Sequence, residues 1–361
     1  GIYNSPFCLD ASGEPVIEDG AAAGYLMAGP IFTKFMQWLT GCVDPDMTLL
    51  FLSREGYVLK QLYEQYCKES NCKPCGSTYF LASRRAVSMA TVQNETDVEE
   101  ILEQDYQGSF QNLLWQRFGV RAAAYMQEVQ IKIPEDLAIV KKLIVPYMPE
   151  IVKRAQKERE AYLLYAQKIL AGKEEDKLCV VDLGYAGTIQ YFLSKMLDHK
   201  IAGRYLCTGE KVRPAKLGCQ VTSLFAFDRK RKTDPRFLFE SAYLEAILEA
   251  PFGQLVKFQL LADGQVQPVY KEENQVSYDV LQMQAGVAAF MKAYLKVCKE
   301  IGLNLSIDEN AALAFVNVIG RNGMLSQSIA DSLKVEDGYC QDGVMCFSRY
   351  GVITKNLNEK K

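Results

Sequence analysis

The sequence predicts an α/β fold built on a mostly parallel sheet, and three observations support this prediction. Short apolar runs without charges alternate with longer segments of helical periodicity. Three of the runs end directly in polar turns, which read SREG, SRRA and DLGYAGT. Alternating strands and helices are typical of a parallel sheet that is covered on both faces, and such sheets bind ligands at the carboxyl ends of their strands. We therefore expect a ligand site where these three turns meet.

The individual elements follow from these patterns in chain order. The predicted strands, each taken with any turn that follows it, are 47–56, 77–86, 177–184, 201–209 and 218–227. The predicted helices are 21–41, 57–69, one that begins at Thr188, 234–253, 276–302 and 307–320. A hairpin is predicted at 254–271 from its Asp263-Gly264 turn, and the end of the chain is interpreted as loop-rich.

Three parts of the chain are expected from this order. Residues 1–20 are polar and are interpreted as a tail or linker. Residues 21–255 are interpreted as an α/β catalytic domain with a helical insertion at about 95–176, which could form a cap. Residues 256–361 are interpreted as a C-terminal hairpin and helical subdomain.

The composition excludes several classes of protein. The 361 residues are 49% apolar and 24% charged, and the net charge of −3 gives no basic field for nucleic acid. The longest apolar stretch, 21–32, is too short to span a bilayer, so no transmembrane segment is expected. Eleven scattered cysteines without framework spacing indicate a reducing compartment, hence the cytoplasm.

Two features with metal-binding residue types are interpreted as structural. Cys67, Cys72 and Cys75 lie close together in sequence, but a structural zinc needs a fourth ligand, and no histidine or second cysteine pair is near. The single histidine, His199, follows a predicted helix, where the helix dipole favours a cation. One histidine does not fit most Ser/His or Cys/His hydrolases. The expected chemistry therefore relies on carboxylates, arginines, hydroxyls and backbone groups.

The turn DLGYAGT is of the kind that binds phosphate. Gly184 and Gly187 let backbone amides face a ligand, and the helix beginning at Thr188 adds partial positive charge. Thr188 could cap this helix and donate its hydroxyl to an anion. Asp182 ends a buried strand, where a carboxylate is costly unless it binds sugar hydroxyls, a magnesium ion through water, or a structural hydrogen-bond donor. A tight turn that merely requires glycine is the alternative.

Arginines follow the two other strands, and guanidinium groups bind phosphate and diphosphate bidentately. Arg54 and Arg84 are assigned to the site, whereas Arg85 is interpreted as a member of a surface ion pair. Glu245 and Glu249 are four residues apart and share a predicted helix face, which is either solvated or activates an acceptor. The basic run 228–236 is interpreted as a solvated turn or as a contact with an anionic acceptor or membrane surface.

Four segments together resemble a bacterial polysaccharide-cluster family. They read LFLSREGYVL, YFLASRRA, VVDLGYAGTIQ and LEAILEAPFG. Members of this family are often labelled hydrolases of the haloacid dehalogenase superfamily, because many have such a phosphatase domain at the N-terminus. The part that this chain resembles, over roughly residues 25–255, is the glycan phosphoribosyltransferase domain of two-domain ribofuranosyltransferases. The resemblance implies a phosphoribosyltransferase-like α/β fold.

The resemblance also implies a reaction. Phosphoribosyl would pass from 5-phosphoribosyl diphosphate, bound with Mg²⁺, to a hydroxyl of a glycan acceptor, lipid-linked or free, in surface polysaccharide synthesis. A separate phosphatase domain would then remove the 5-phosphate. The chain is interpreted as having no DxDxT nucleophile motif, since Asp182 is followed by Leu183 and Gly184, so we expect the phosphatase half to be absent here. Such an enzyme would work in the cytoplasm or peripherally at the inner membrane face.

Site roles are carried over from the resemblance residue by residue. The glycine turn would hold the donor's 5-phosphate, Asp182 would lie near the ribose hydroxyls, and the two assigned arginines would face the diphosphate. The donor-binding residues are then Ser53, Arg54, Gly56, Ser83, Arg84, Gly184, Tyr185, Gly187 and Thr188. The catalytic candidates are Asp182, with Glu245 as base and Glu55 as the alternative base. The turn has one acid where nucleotide-forming phosphoribosyltransferases have an adjacent pair.

Two other interpretations stay open. VVDLGYAGT is similar to the first motif of S-adenosylmethionine-dependent methyltransferases, although Ala186 replaces the central glycine and Glu210 is only loosely placed as the ribose-binding acid. That interpretation leaves SREG and SRRA unexplained. The third is a non-catalytic scaffold domain in glycan assembly, which predicts no stabilisation by any ligand.

Overall fold

The computed structural model describes residues 5–126, 128–209, 212–227, 236–272, 274–321, 323–336, 339–340, 344–348 and 351–355. The strands are β1 (Cys8–Leu9), β2 (Pro15–Val16), β3 (Thr48–Leu52), β4 (Gly76–Phe80), β5 (Tyr106–Ser109), β6 (Gln130–Ile133), β7 (Leu178–Asp182), β8 (Ala202–Gly209), β9 (Val221–Phe227), β10 (Leu255–Leu260), β11 (Val266–Tyr270), β12 (Lys334–Glu336), β13 (Val344–Ser348) and β14 (Gly351–Lys355). The helices are α1 (Gly20–Ala23), α2 (Gly29–Cys42), α3 (Gly56–Ser70), α4 (Arg84–Thr91), α5 (Glu95–Leu102), α6 (Phe110–Phe118), α7 (Leu137–Leu143), α8 (Met148–Leu170), α9 (Thr188–Leu197), α10 (Arg236–Ile247), α11 (Tyr278–Ile301), α12 (Glu309–Arg321) and α13 (Gln327–Ser332).

A parallel sheet forms the centre of the fold, as the sequence predicts. In the described residues it has five strands in the order β4-β3-β7-β8-β9, with Phe51 of β3 paired to Tyr79 of β4 and Val181 of β7. In chain order this is 2-1-3-4-5, a doubly wound order in which the first and third strands are neighbours. The predicted α/β class with a mostly parallel sheet is confirmed.

The sheet separates two hydrophobic cores because successive side chains of a strand point to opposite faces. Leu49 and Phe51 face one core, which also contains residues of α2, α3, α10 and α11. Leu50 and Leu52 face the other, with residues of α4, α8 and α9. The helix after β3 and the helix after β7 therefore lie on opposite faces. A crevice opens between them at the carboxyl ends of these strands, the usual ligand position in such sheets.

The insertion between β4 and β7 contains a feature that the sequence did not predict. It is mainly helical, from α5 to α8, but β5 and β6 form an antiparallel pair within it. The long helix α8 packs against α4 and β10. It therefore belongs to the layer on the face of the sheet that α4 and α9 cover.

The hairpin and helices that follow the sheet were predicted correctly. β10 and β11 pair antiparallel, and the turn has Gly264 at φ +80° with Asp263 Oδ1 accepting from the Gln265 amide at 2.9 Å. α11 packs closely along α1, since a Cβ on Gly286 would lie 2.0 Å from the carbonyl oxygen of Ala21. The C-terminal helices and the N-terminal helices thus share one core.

Both ends of the described chain are more ordered than the sequence indicated. Within the predicted tail, Ile17 is fully buried, and its backbone bonds to Met324 and Ser326. The predicted loop-rich end is wrong in part, because α13 is followed by β12, β13 and β14 in an antiparallel sheet. Within the described residues, the helices are all too short or too polar to cross a membrane.

Candidate active site

A cavity of about 580 Å³ lies at the carboxyl ends of β3, β4 and β7. The three polar turns and α10 meet there. Ten of the twelve predicted site residues line it, namely Ser53, Arg54, Glu55, Ser83, Arg84, Asp182, Gly184, Tyr185, Thr188 and Glu245. The structure therefore brings together residues that the sequence places in four separate segments.

The two remaining predicted residues, Gly56 and Gly187, shape the turns behind the cavity. A Cβ on Gly56 would lie 2.5 Å from the carbonyl carbon of Phe51, so only glycine lets α3 begin directly against β3. Gly187 has φ +67° and lies against Pro214, where a Cβ would be 2.8 Å from the ring. Both glycines are required by backbone geometry rather than by contact with the cavity.

The start of α9 differs from the prediction by one residue. Thr188 was expected to cap the helix, but Gly187 occupies the N-cap and Thr188 is the first helical residue; among the described side chains none accepts a capping hydrogen bond there. Gly184, Thr188 and Ile189 line the cavity, so the first turn of the helix faces it. Unpaired amides and the helix dipole at such an end favour an anion. The Gly184–Tyr185 and Ser53–Arg54 peptide bonds are both cis.

Two serines hold the arginine-bearing turns in place. Ser53 Oγ donates to the Ala82 carbonyl at 2.7 Å and accepts from the Ala82 amide at 3.0 Å, which joins the turns after β3 and β4. Ser83 caps α4 by accepting from the Ala86 amide, and it donates to the Leu255 carbonyl at 2.7 Å. Each serine precedes an arginine, so these hydrogen bonds fix the backbone positions from which the Arg54 and Arg84 side chains extend.

Arg54 lies between two carboxylates at the cavity. Its Nη2 is 3.8 Å from Oε1 of Glu55 and 4.0 Å from Oε1 of Glu245. These contacts are long for charge-assisted hydrogen bonds, which are about 2.7–2.9 Å. An anion with better geometry can therefore compete for this guanidinium group.

Arg84 is held by a segment that sequence reasoning missed. Its Cζ lies 5.4 Å from the ring centroid of Tyr339, and its Nη1 donates to Sγ of Cys340 at 2.9 Å. Val335 and Met345 of the same C-terminal segment line the cavity. These residues lie more than 240 positions from Arg84 in sequence, and no local pattern marks them.

Burial and neighbouring charges raise the proton affinity of Asp182 and Tyr185 in the cavity. Burial raises the pKa of Asp182 well above its usual range, and the charges of Glu55 and Glu245 raise it further, against the Leu183 amide and Arg84. Burial and the charge of Glu245 also raise the pKa of Tyr185. A cation bound next to Asp182 would favour its charged form and lower this pKa.

The residues present fit a magnesium ion that a substrate shares. Among the described residues, no three ligating side chains lie close enough together to hold a metal by themselves. Mg²⁺ is usually bound by one or two carboxylates together with substrate phosphates and water. Glu55, Asp182 and Glu245 face the cavity and could supply such carboxylates.

Several other predictions concern residues outside the cavity. Arg85 forms an ion pair with Glu158, but the pair is buried rather than at the surface, and Arg85 also donates to the Val256 carbonyl. The prediction that Glu245 and Glu249 share a helix face is wrong, because α10 ends at Ile247. Glu249 accepts a hydrogen bond from Asn274. Residues 228–235 of the basic run, and Glu210, lie outside the described residues.

His199 and Cys67, whose residue types commonly bind metals, have ordinary structural surroundings. His199 Nε2 lies 2.5 Å from Oε2 of Glu175, an exposed pair near the end of α9. Burial raises the pKa of the Cys67 thiol to about 12, which opposes a reactive thiolate. The interpretation that the chain has no DxDxT motif is wrong as to the letters, which occur once, at residues 44–48. They lead into the N-terminal end of β3, where Asp46 pairs with Lys177 at 2.8 Å, so they lie at the opposite end of this strand from the cavity.

No protein-family model matches the chain, and a search of curated proteins finds no significant relative. The cavity is therefore interpreted from its own geometry and from the motifs that line it.

Proposed function

We propose that the chain is a phosphoribosyltransferase that moves 5-phosphoribosyl from its diphosphate to a hydroxyl of a glycan acceptor. The observation that supports this most is the arrangement of charges in one cavity. Arg54 and Arg84 come from neighbouring strand ends, and they line the same cavity as the first turn of α9 and the carboxylates Glu55, Asp182 and Glu245. A donor with an anion at each end and a polyol in the middle is complementary to such an arrangement.

Each part of the donor is chemically complementary to a different group of residues in the cavity. The 5-phosphate suits the glycine turn and the start of α9, where backbone amides are available. The diphosphate suits Arg54 and Arg84, because guanidinium groups bind phosphate bidentately. Asp182 suits the ribose hydroxyls. The volume of about 580 Å³ lies within the usual range of small-molecule sites.

The reaction would form a bond from the acceptor oxygen to the anomeric carbon and break the bond from that carbon to the diphosphate. Arg54 and Arg84 would stabilise the negative charge that develops on the leaving diphosphate. Mg²⁺, when bound with the donor, would neutralise further charge on the same group. Glu245 would accept the proton of the acceptor hydroxyl. Glu55, which accepts from the Arg54 amide at 3.2 Å, is the alternative base.

The acceptor, its lipid anchor and a separate phosphatase belong to the proposal only through the motif resemblance. An enzyme of this kind would act on precursors of a surface polysaccharide, from the cytoplasm or at the inner face of a membrane. The cavity does not select one glycan.

The test is ligand-dependent stabilisation of the purified protein. With 5-phosphoribosyl diphosphate and Mg²⁺ at a hundred times the dissociation constant, we expect about 2.7 kcal/mol of stabilisation. Arg84→Gln should abolish most of it, whereas Arg154→Gln, the same charge change in an exposed pair with Glu150 on α8, should leave it intact. A shift with S-adenosylmethionine alone would support the methyltransferase interpretation and refute ours. No shift with either ligand would support a scaffold.

A further inference from the structure

A tyrosine from the C-terminal segment lies directly against an arginine of the cavity. The Arg84 guanidinium carbon is 5.4 Å from the Tyr339 ring centroid, within the range of a cation–π contact. The next residue, Cys340, accepts from Arg84 Nη1 at 2.9 Å. Arg84 lines the cavity, so one side chain connects the cavity to the Tyr339–Cys340 pair.

Tyr339 is itself held from several directions. It is only 1% exposed. Its hydroxyl lies 3.2 Å from Oγ of Ser88 and accepts from Nε2 of Gln104 at 2.9 Å. The carbonyl of Cys340 accepts from the Gln107 amide at 3.0 Å. The ring is thus fixed against α4 and against the insertion, and none of these contacts involves a ligand in the cavity.

A fully buried arginine of the insertion completes this support. Arg117, which is 0% exposed, lies 4.9 Å from the Tyr339 ring centroid, and its Nε and Nη2 each donate to the Tyr339 carbonyl at 3.3 Å. It also donates to carbonyls in the last turn of α5 and just after it, at Ile101, Gln104 and Asp105. Arg117 therefore ties Tyr339 to the insertion with contacts that leave its guanidinium group little freedom.

We propose that Tyr339 is a positioning residue of the cavity: its ring, fixed by Arg117, orients the Arg84 guanidinium towards the bound anion. A free arginine side chain loses rotamer freedom when it binds an anion, and this loss weakens binding. In this fold the ring restricts Arg84 before the ligand arrives. The proposal rests on the proposed function in one respect, which is that the anion is a diphosphate.

The first test needs no ligand. We would measure ¹⁵N relaxation of the Arg84 side-chain Nε–H in the wild type, Tyr339→Phe and Tyr339→Leu. Tyr339→Phe keeps the ring and loses only the hydroxyl contacts, so Arg84 should stay ordered. Tyr339→Leu removes the ring, so the Arg84 signal should become mobile on the picosecond to nanosecond timescale while Arg117 stays ordered. An Arg84 that remains as ordered in Tyr339→Leu as in the wild type would overturn the proposal.

The second test separates positioning from general damage to the fold. The probe is inorganic diphosphate with Mg²⁺, titrated calorimetrically into Tyr339→Leu, Arg84→Gln and the double variant. We expect Tyr339→Leu to weaken binding about five- to tenfold in the wild-type background, which lies between the effects of an exposed and a desolvated cation–π contact. In the Arg84→Gln background the same change should have almost no effect, because the group to be oriented is gone. Equal losses in both backgrounds would contradict the positioning role.

Failure of the proposed function gives a different result. If Arg84 becomes mobile in Tyr339→Leu but the wild type binds neither diphosphate nor 5-phosphoribosyl diphosphate, positioning by Tyr339 stands and the transferase proposal is wrong. If diphosphate binds and Arg84 is unaffected by the loss of the ring, the transferase proposal stands and the role of Tyr339 is wrong.

Discussion

Nη2 of Arg54 lies 4.0 Å from Oε1 of Glu245, which links the turn after the first sheet strand to a helix that follows the last one. Arg54 also lies 3.8 Å from Glu55. Two carboxylates therefore share one guanidinium group at distances longer than those of charge-assisted hydrogen bonds. We infer that Arg54 balances the charge of these acids and contacts the anion when a donor binds.

Arg54→Gln is expected to weaken donor binding about ten- to a hundredfold, because a charge-assisted hydrogen bond contributes about 1.5–3 kcal/mol. The measurement is calorimetric titration with 5-phosphoribosyl diphosphate and Mg²⁺. Arg54→Lys should recover only part of the affinity, since an ammonium group cannot bind bidentately. Unchanged affinity in Arg54→Gln would show that this guanidinium group does not contact the donor.

Asp182→Asn should make the ligand-free protein more stable while removing donor binding. Burial and the neighbouring carboxylates raise the folded-state pKa of Asp182 above its ordinary value of 3.8. The stability that this group contributes is complete below that value and is lost as the pH rises through the raised pKa. In urea unfolding, the stability of the variant relative to the wild type should therefore increase as the pH rises above 3.8 and through the raised pKa. A difference that stays constant over this range would contradict a raised pKa.

How far the sequence predicts this site depends on how local each signal is. Arg54 and Asp182 directly follow apolar strands, and parallel strands bring such turns to one edge, so their proximity was predictable. Val335 reaches the cavity, and Tyr339 reaches Arg84, only through the packing of the C-terminal segment. Nothing near them in sequence indicates this. Local sequence also failed to predict the end of α10: its periodicity includes Glu249 in the helix, which ends two residues earlier.

Arg85 and Glu158 form a buried ion pair, with side chains 7% and 10% exposed, whose loss should destabilise the fold without a direct effect on the ligand. Glu158→Gln leaves the guanidinium charge without its partner, so we expect a loss of about 3–5 kcal/mol in urea unfolding. The double variant Arg85→Met/Glu158→Leu should lose less, because neither charge remains buried. Donor affinity of the folded double variant should stay within a few-fold of the wild type.

Gly187→Ala should harm both stability and donor binding, and Gly172→Ala is a matched control. Both glycines have a positive φ, +67° and +74°, so alanine is strained at either position by about 1–2 kcal/mol. A Cβ at Gly187 would also lie 2.8 Å from Pro214, whereas a Cβ at Gly172 would meet nothing within 4 Å. Gly187→Ala should therefore be the more destabilising change in urea unfolding. It should also weaken donor binding, which Gly172→Ala should leave unchanged.

Glu245→Gln tests the assignment of the catalytic base. We would follow diphosphate release from the donor with water as the acceptor, since this needs no knowledge of the glycan. Loss of a general base should slow this release by about 10²–10⁴-fold, with donor affinity little changed. Glu249→Gln makes the same chemical change at a carboxylate that bonds to Asn274 outside the cavity, and it should leave the rate unchanged. A comparable loss in Glu55→Gln and none in Glu245→Gln would transfer the role of base to Glu55.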